Sequence, residues 1–454
     1  MRQRRLALLA VAVVVVAGVV VVLLGRGGEQ GGPRRLAPGA GATDTTRDPF
    51  AYDGDRQADF ENAAAAGLSN VLYAKSPGGA VATAQRVQKL RPLVEDVARR
   101  AHQDPDTLEA IVFLESAGRP DVVASNDLHS AVGLTQILAQ TATGLLGLKV
   151  DVARSEKITG QIARSRSFSH IAQLKALRRR VDQRFDPRMA LEATTRYLEF
   201  AQGQLHGRDD LAVESYHMGV GNLQSALKAY GNEDIPYAQL FFDSTPVRHA
   251  KAWNILASLG DDSSTYLWRI GAAKAIMKLY RDDPAKLKAQ ATLQASPAGE
   301  RVLRPPSTPA FTDDAALKTD TLAVVTGAGL RPSTALARQD ASGRALRPEA
   351  LQLLRYLALG VREISHTAPL VVTSASRSVA GEQRDTRGAF GAETPPSTHT
   401  TGYAFDLSRA YRSPAQAQAL QFWLDRLTAL DAIAWTREPS VIHVTVGPRA
   451  GATT

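Results

Sequence analysis

The stretch "DPDTLEAIVFLESAG", residues 104–118, decides how the first half of the chain is read. Asp104 is a helix N-cap type, Pro105 suits the first helical position and Gly118 suits a helix stop, so the segment predicts a helix. Leu108, Ile111, Val112 and Leu114 recur at spacings of three and four. Glu115 stands beside that apolar stripe, at the C-terminal end. Partial burial disfavours a carboxylate anion, and so does the negative end of the helix dipole. A carboxyl held protonated near neutral pH can donate a proton to a leaving oxygen. Most glutamates at helix ends are simply solvated, so the segment alone does not establish chemistry.

Two further segments add to it. "SAVGLTQILAQTA", 130–142, reads as a glycine before a helix of small residues that carries Gln136. "VESYHMGVGNL", 213–223, places Tyr216 and His217 before Gly219 and Gly221, glycines that let a sugar ring approach the backbone. Between them, "RFDPRMALEATTRYL", 184–198, predicts a helix capped by Asp186 with Pro187 at its first position. A long helical insertion, about 151–183, either lines a groove or serves as scaffold.

Glu-Ser at 115–116, Gly-Leu-Thr-Gln at 133–136 and Ser-Tyr-His-Met-Gly at 215–219 resemble, in that order, the three motifs of soluble lytic transglycosylase (SLT) domains. The resemblance covers roughly residues 90–235. It implies a mainly α, lysozyme-like fold and cleavage of the β-1,4 bond between N-acetylmuramic acid and N-acetylglucosamine in peptidoglycan, without a cofactor. By the same resemblance Glu115 is the catalytic acid. It then acts as base toward the muramyl 6-hydroxyl, which closes a 1,6-anhydro ring. Ser116, Gly133, Gln136, Tyr216 and His217 would bind substrate. The third motif departs from the family's usual Ala-Tyr-Asn, and His217 stands where the asparagine is expected. Glycosidases with two carboxylates place the partner about 5–9.5 Å from the acid. Asp121, Asp127 and Glu214 are candidates by type, without motif support. Asp127, within "SND", reads as a turn residue, and Glu214 as either a surface helix residue or a contact of Glu115 or sugar.

The N-terminus predicts a location. Arg2, Arg4 and Arg5 precede an unbroken apolar run from Leu6 to Leu24. As a helix, that run spans about 28 Å, close to the thickness of a bilayer's hydrocarbon. Gly25, Arg26, Gly27 and Gly28 follow, which is a poor signal-peptidase site. Residues 1–27 therefore read as an uncleaved, single-pass membrane anchor rather than a cleaved signal. The arginines stay in the cytoplasm and the bulk of the chain is extracytoplasmic. The net charge of +9 favours anionic partners or plain solubility. With that topology it points to the envelope and not to nucleic acid. Cysteine is absent, which excludes disulfides and thiolate metal sites.

Residues 28–47 read as a flexible linker, 48–300 as the helical domain, 301–318 as a second linker containing "RPPSTPAF", and 319–454 as a small α+β domain. In this last part "LRPEALQLLRYLALGVREI" is a helix, and "PLVVTSAS", "GYAFDLS" and "SVIHVTV" are strands. In the second strand Tyr403, Phe405 and Leu407 share one face and Ala404 and Asp406 the other, where the small alanine leaves room for a ligand. In the third, Ile442, Val444 and Val446 face the core and His443 points away. His399, Asp406 and His443 are residue types that hold zinc with a fourth position open, although His–Asp–His sets also arise by chance.

"SxHxxGxAxD" at 397–406 with the late "IHV" at 442–444 resembles the zinc frame of M15-type D-Ala-D-Ala carboxypeptidases and endopeptidases, over about residues 345–447. That resemblance implies zinc on His399, Asp406 and His443, with Arg377 near the substrate. The glutamate such peptidases carry three residues before the last histidine is Ser440 here. Glu438, five before, reaches the metal only if "PSV" folds back. The two resemblances together imply a membrane-anchored peptidoglycan lytic transglycosylase whose second domain cleaves or binds stem peptides. The alternative is a non-catalytic wall-binding or assembly protein that holds substrate in both clefts.

Overall fold

Helices occupy most of the chain from Gln57 to Leu303, and a five-stranded sheet with two long helices follows. This is a computed structural model, and it describes residues 48–453 apart from 49, 126, 261 and 386–395. The expected anchor at 1–27 and linker at 28–47 lie outside the described residues. Among those residues, no helix is long and apolar enough to cross a membrane.

The helix predicted from "DPDTLEAIVFLESAG" is α1, Pro105–Ser116. The Asp104 carboxylate accepts the N–H groups of Asp106 and Thr107 at 3.0 and 3.1 Å. These are two of the donors a helix start leaves unpaired. The expected apolar stripe is too narrow a description. Leu108, Ala110, Ile111, Val112 and Phe113 are all buried, so α1 is a central helix covered on every side. Even Glu109 is buried, and it is matched by Arg91 at 3.0 Å and Arg281 at 2.8 Å. The helix stops one residue earlier than Gly118 suggests. Ala117 already takes the left-handed conformation, φ 54°, and Gly118 follows at 74°.

The insertion is a pair of helices, α2 (Val152–Arg164) and α3 (Phe168–Val181), packed on each other. Next comes α4, Pro187–Gln204, with Asp186 capping and Pro187 first as predicted. Helices α5 (Asp209–Met218) and α6 (Val220–Tyr230) are joined by Gly219 alone, at φ 83°. Then follow α7 (Tyr266–Asp282), α8 (Pro284–Gln294) and the one-turn α9 (Glu300–Leu303).

The expected helix over 130–142 is corrected, because only Ala139–Gly144 is helical. Val132 pairs with both Val123 and Ile137, and the chain turns between with Gly133 and Gln136 at positive φ. Gly133 is required there by its neighbour. A Cβ on it would stand 2.0 Å from the Arg184 carbonyl oxygen.

In the second half, α10 (Pro348–Ser365) and α11 (Pro414–Ala429) pack on each other. The sheet contains β1 (Leu330–Pro332), β2 (Leu370–Ser374), β3 (Ala404–Ser408), β4 (Ile433–Arg437) and β5 (Val441–Val446). Their order is β1-β2-β3-β5-β4, with only the β1–β2 pair parallel. The alternation read from the sequence fixes the faces. Phe405, Leu407, Ile442 and Val444 are buried in the core. On the other face Asp406 lies directly opposite His443.

The helical and sheet halves share a core. Phe60, Phe242 and Trp268 belong to the same apolar cluster as Leu354, Trp423 and Leu427. Arg426 of α11 is buried against Phe241, Phe242 and Phe422 and donates to the Ser244 carbonyl at 3.0 Å. "RPPSTPAF" does break the helical pattern, yet it is tied to the sheet half. The Phe311 N–H bonds the Thr400 carbonyl at 2.7 Å, and the Arg304 guanidinium lies 3.4 Å over the Tyr403 ring.

Candidate active-site cleft and metal-ligand cluster

A cleft of about 330 Å³ opens where the C-terminus of α1 meets the N-terminus of α7 and the helix Asn70–Lys75. Leu72, Phe113 and Leu114 form its apolar wall, and Lys75, Arg119, Arg269, Asp262 and His217 its polar one. Glu115 and Tyr266 lie between. The Tyr266 hydroxyl donates to Glu115 Oε1 at 2.8 Å. That leaves Oε2 to carry a proton. Burial raises the Glu115 pKa from 4.5 to about 7, against the opposing pull of the Tyr266 hydroxyl. Glu115 is therefore substantially protonated near neutral pH. Burial beside Glu115 pushes the Tyr266 phenol well above its ordinary value, so it stays a donor.

His217 stacks on Tyr266 with ring centres 5.4 Å apart, and its Nδ1 is 2.8 Å from Ser263 Oγ. A Cβ on Gly219 or Gly221 would meet nothing within 4 Å, so the space above that turn is open. The other expected substrate contacts stand differently. Ser116 lines the cleft, but its hydroxyl is turned to the Val112 carbonyl at 3.2 Å. Gly133, Gln136 and Tyr216 are not in the cleft wall. The Gln136 amide donates to the Gly133 carbonyl at 2.9 Å, and the Tyr216 hydroxyl to the Thr135 carbonyl at 2.7 Å. Gln136 and Tyr216 thus brace the turn at 133–136, because the turn's own carbonyls need donors once they are covered.

None of the three candidate second carboxylates lines this cleft. Asp121 is paired with Lys175 and Arg178, each at 2.7 Å. Asp127 is a turn residue, accepting the His129 N–H at 2.8 Å. Glu214 is fully buried, which overturns its reading as a surface residue. It accepts the Leu267 N–H at 2.8 Å, and burial raises its pKa well above the ordinary carboxyl value. The acid that does line the cleft is Asp262, which is held ionised by a hydrogen bond from Arg269. Neither Tyr266 nor Asp262 was legible in the sequence. "DDSSTYLW" signals a helix start and nothing chemical.

In the sheet half, His399, Asp406 and His443 converge, with one donor atom from each within 4.8 Å of the others. Asp406 Oδ1 is 3.2 Å from His399 Nε2 and 2.9 Å from His443 Nδ1. A tetrahedral zinc with bonds of about 2.0–2.2 Å sets its ligand atoms about 3.3–3.6 Å apart, so the two pairs at 3.2 and 2.9 Å would open by a few tenths of an ångström to take one. The tautomers fit as well. His399 Nδ1 is 2.7 Å from the Ala375 carbonyl, which can only accept, so that nitrogen carries the proton. Burial lowers the His399 pKa and keeps the ring neutral. The lone pair of its Nε2 then faces a carboxylate oxygen, an arrangement that a cation between them would resolve. On the far side of His443, Nε2 is 3.3 Å from Glu300 Oε2. Burial opposes a charged His443, but the carboxylates of Asp406 and Glu300 hold its pKa up at about 9.

Arg377 follows β2. It donates to Ser374 Oγ at 2.8 Å, and its charge acts on His399. "PSV" does fold back. The Glu438 N–H bonds the Val441 carbonyl at 3.0 Å in a tight turn between β4 and β5. The turn leaves Glu438 and Ser440 exposed at its tip. Glu438 is not among the groups that bond the cluster.

The Transglycosylase SLT domain family model matches residues 161–238. No curated protein matches the chain. The matched stretch runs from the end of α2 to just past α6 and contains Tyr216, His217 and Gly219. It begins after Glu115 and ends before Tyr266. The chain thus carries, over residues 161–238, the signature of an SLT transglycosylase domain, which supports a lytic transglycosylase-type enzyme with peptidoglycan as its substrate.

Proposed function

We propose that this protein cuts the glycan strand of peptidoglycan between N-acetylmuramic acid and N-acetylglucosamine, with Glu115 as its only acid and base. The observation that carries the reading is a carboxyl lining an open cleft, held through one oxygen by Tyr266 and raised by burial to a pKa of about 7. Glu115 gives its proton to the glycosidic oxygen as the bond to the muramyl C1 breaks. The carboxylate formed then takes the proton of the muramyl 6-hydroxyl as that oxygen bonds to C1. The products are a 1,6-anhydro end and a free hydroxyl on the leaving sugar. No water is consumed and Glu115 ends protonated. Asp262, occupied by Arg269, is not needed. The test is to incubate residues 48–454 with purified peptidoglycan and identify the ends by mass spectrometry. The shared core makes a cut at residue 300 a poor choice. Reducing ends in place of anhydro ends would overturn the mechanism, and no products at all would favour a wall-binding protein.

For the sheet half the proposal is a zinc site on His399, Asp406 and His443 that binds stem peptides with Arg377 beside it. Zinc there would supply Lewis acidity. Ser440 stands where a carboxylate is expected, and among the described residues no other carboxylate is placed as a base, so binding is favoured over peptide cleavage. We expect the purified protein to take up one zinc and to melt at a higher temperature with it, since a ligand of the folded state alone stabilises that state. His399→Ala should lose both. Metal analysis and thermal melts decide, and a wild-type chain that takes up no zinc would reduce the cluster to coincidence.

The apolar run at 6–24 is proposed as the anchor that keeps both sites outside the cytoplasm. The full-length chain should then stay with membranes through a high-salt wash, while a chain starting at Asp48 is released. Salt screens charge attraction but not burial of an apolar helix. A mature soluble form lacking residues 1–27 would mean a cleaved signal.

A further inference from the structure

The metal-ligand cluster lies on the sheet, yet one of its partners comes from the helical half. Glu300 opens α9, directly after a turn that packs on α8 and the helix Asn70–Lys75 on one side and on β4 of the sheet on the other. The turn is pinned there. Asn70 donates to the carbonyl and side-chain oxygens of Gln294 at 3.0 and 2.8 Å. Gly299 sits at φ 72°, where a Cβ would come within 2.5 Å of that same side-chain oxygen. From this mount Glu300 Oε2 reaches across to the sheet. It accepts the hydroxyls of Thr398 and Thr445, both at 3.0 Å, and lies 3.3 Å from His443 Nε2.

Both histidines of the cluster are thereby held from behind. The Ala375 carbonyl takes the outer nitrogen of His399, and Glu300 takes the outer nitrogen of His443. Each bond leaves the inner nitrogen turned to Asp406 Oδ1. A carboxylate on the outer N–H of a metal-binding histidine fixes ring and tautomer and makes the inner nitrogen a better donor. Glu300 is also on the wrong side to replace the base absent at Ser440, because the His443 ring stands between it and Asp406.

We infer that Glu300 is the positioning residue of the metal site, supplied by the helical half, so that the sheet's cluster reaches its full metal affinity only with the helical half in place. This inference rests on the zinc reading given above. It gives the shared core a chemical consequence, since the two halves cannot part without loosening the site.

The experiment uses the chain from Asp48 to Thr454 and zinc itself, with affinity read by competition against a chromogenic chelator. Glu300→Ala should weaken zinc binding about 10–100-fold, the usual effect of removing such a partner. Glu300→Gln keeps an oxygen that can accept from Nε2–H and should fall between Glu300→Ala and wild type. Release of glycan products should be unchanged in both variants, since Glu300 is not in the Glu115 cleft. That readout reports that the helical half is still folded. Wild-type affinity in Glu300→Ala would overturn the inference. Equal losses in both variants, with a lowered melting temperature of the metal-free chain, would also overturn it by making Glu300 merely structural. A wild-type chain that binds no zinc would remove the zinc reading itself, and this inference with it.

Discussion

Glu115→Gln is expected to abolish glycan cleavage while leaving the fold intact. The amide keeps the size of the side chain and can still accept from the Tyr266 hydroxyl, but it has no proton to cycle. General acid–base catalysis is worth about 10²–10⁴-fold, and here one residue serves both steps. The wild-type rate should also depend on pH in a set direction. With its pKa at about 7, Glu115 is the required acid below that pH. Above it, the rate should fall about tenfold per unit as the protonated fraction falls. Stability should move the same way. The folded pKa of about 7 lies above the ordinary 4.5. Stability tied to the group is therefore fully present below 4.5 and lost as pH rises through 7, by on the order of 3 kcal/mol. Glutamine does not ionise. The variant should melt close to wild type at pH 5 and above it at pH 8. Thermal melts at the two pH values, beside anhydro-product release, check both halves. Wild-type-like product release by this variant would sink the assignment.

How far such a site can be read from sequence depends on the range of the interactions that build it. Glu115 was legible because a cap, an apolar helix and a stop are local signals. Its partner Tyr266 was not, since their hydrogen bond joins residues 151 positions apart and nothing around Tyr266 marks it. In the sheet half, period-two alternation put Asp406 and His443 on the same face, and the register then set them opposite each other. Glu300 had no such pattern, because its approach to His443 is set by how two halves pack. The turn at 133–136 was misread for a similar reason. Small residues suit a helix, but the Arg184 carbonyl, brought there by the fold, leaves room only for a glycine. Of the two readings of Glu214, the surface one failed because Leu211–Ser215 of α5 are all buried, and a covered turn of helix leaves no polar stripe to read. The core that the helical half shares with the sheet was the least visible feature, because no local pattern marks it.

Asp182→Ala is expected to cost about 3–5 kcal/mol, the usual effect of stripping one partner from a buried ion pair. That is a large share of the roughly 5–15 kcal/mol by which domains are stable. Asp182 and Arg184 are both fully buried, and their charged groups meet at 2.8 and 3.0 Å. The rest of the guanidinium is spent on the turn at 128–137. It donates to the carbonyls of Leu128 at 2.8 Å, Ser130 at 3.2 Å and Ile137 at 3.3 Å. Without Asp182 the cation stays dry and unbalanced, and it must either draw water in or swing out. Either response releases three carbonyls that hold residues 128–137 in place. Replacing both residues by apolar ones should not restore stability, because those carbonyls would lose their donor. An exposed pair such as Arg99–Asp96, 2.7 Å apart, offers the contrast. Its loss should cost less than about 1 kcal/mol. Denaturant unfolding gives the magnitudes, and amide hydrogen exchange over Leu128–Ile137 shows where the loss falls. A cost for Asp182→Ala as small as that of the surface pair would mean that water already reaches Arg184, and the turn would then be held by something other than this buried charge.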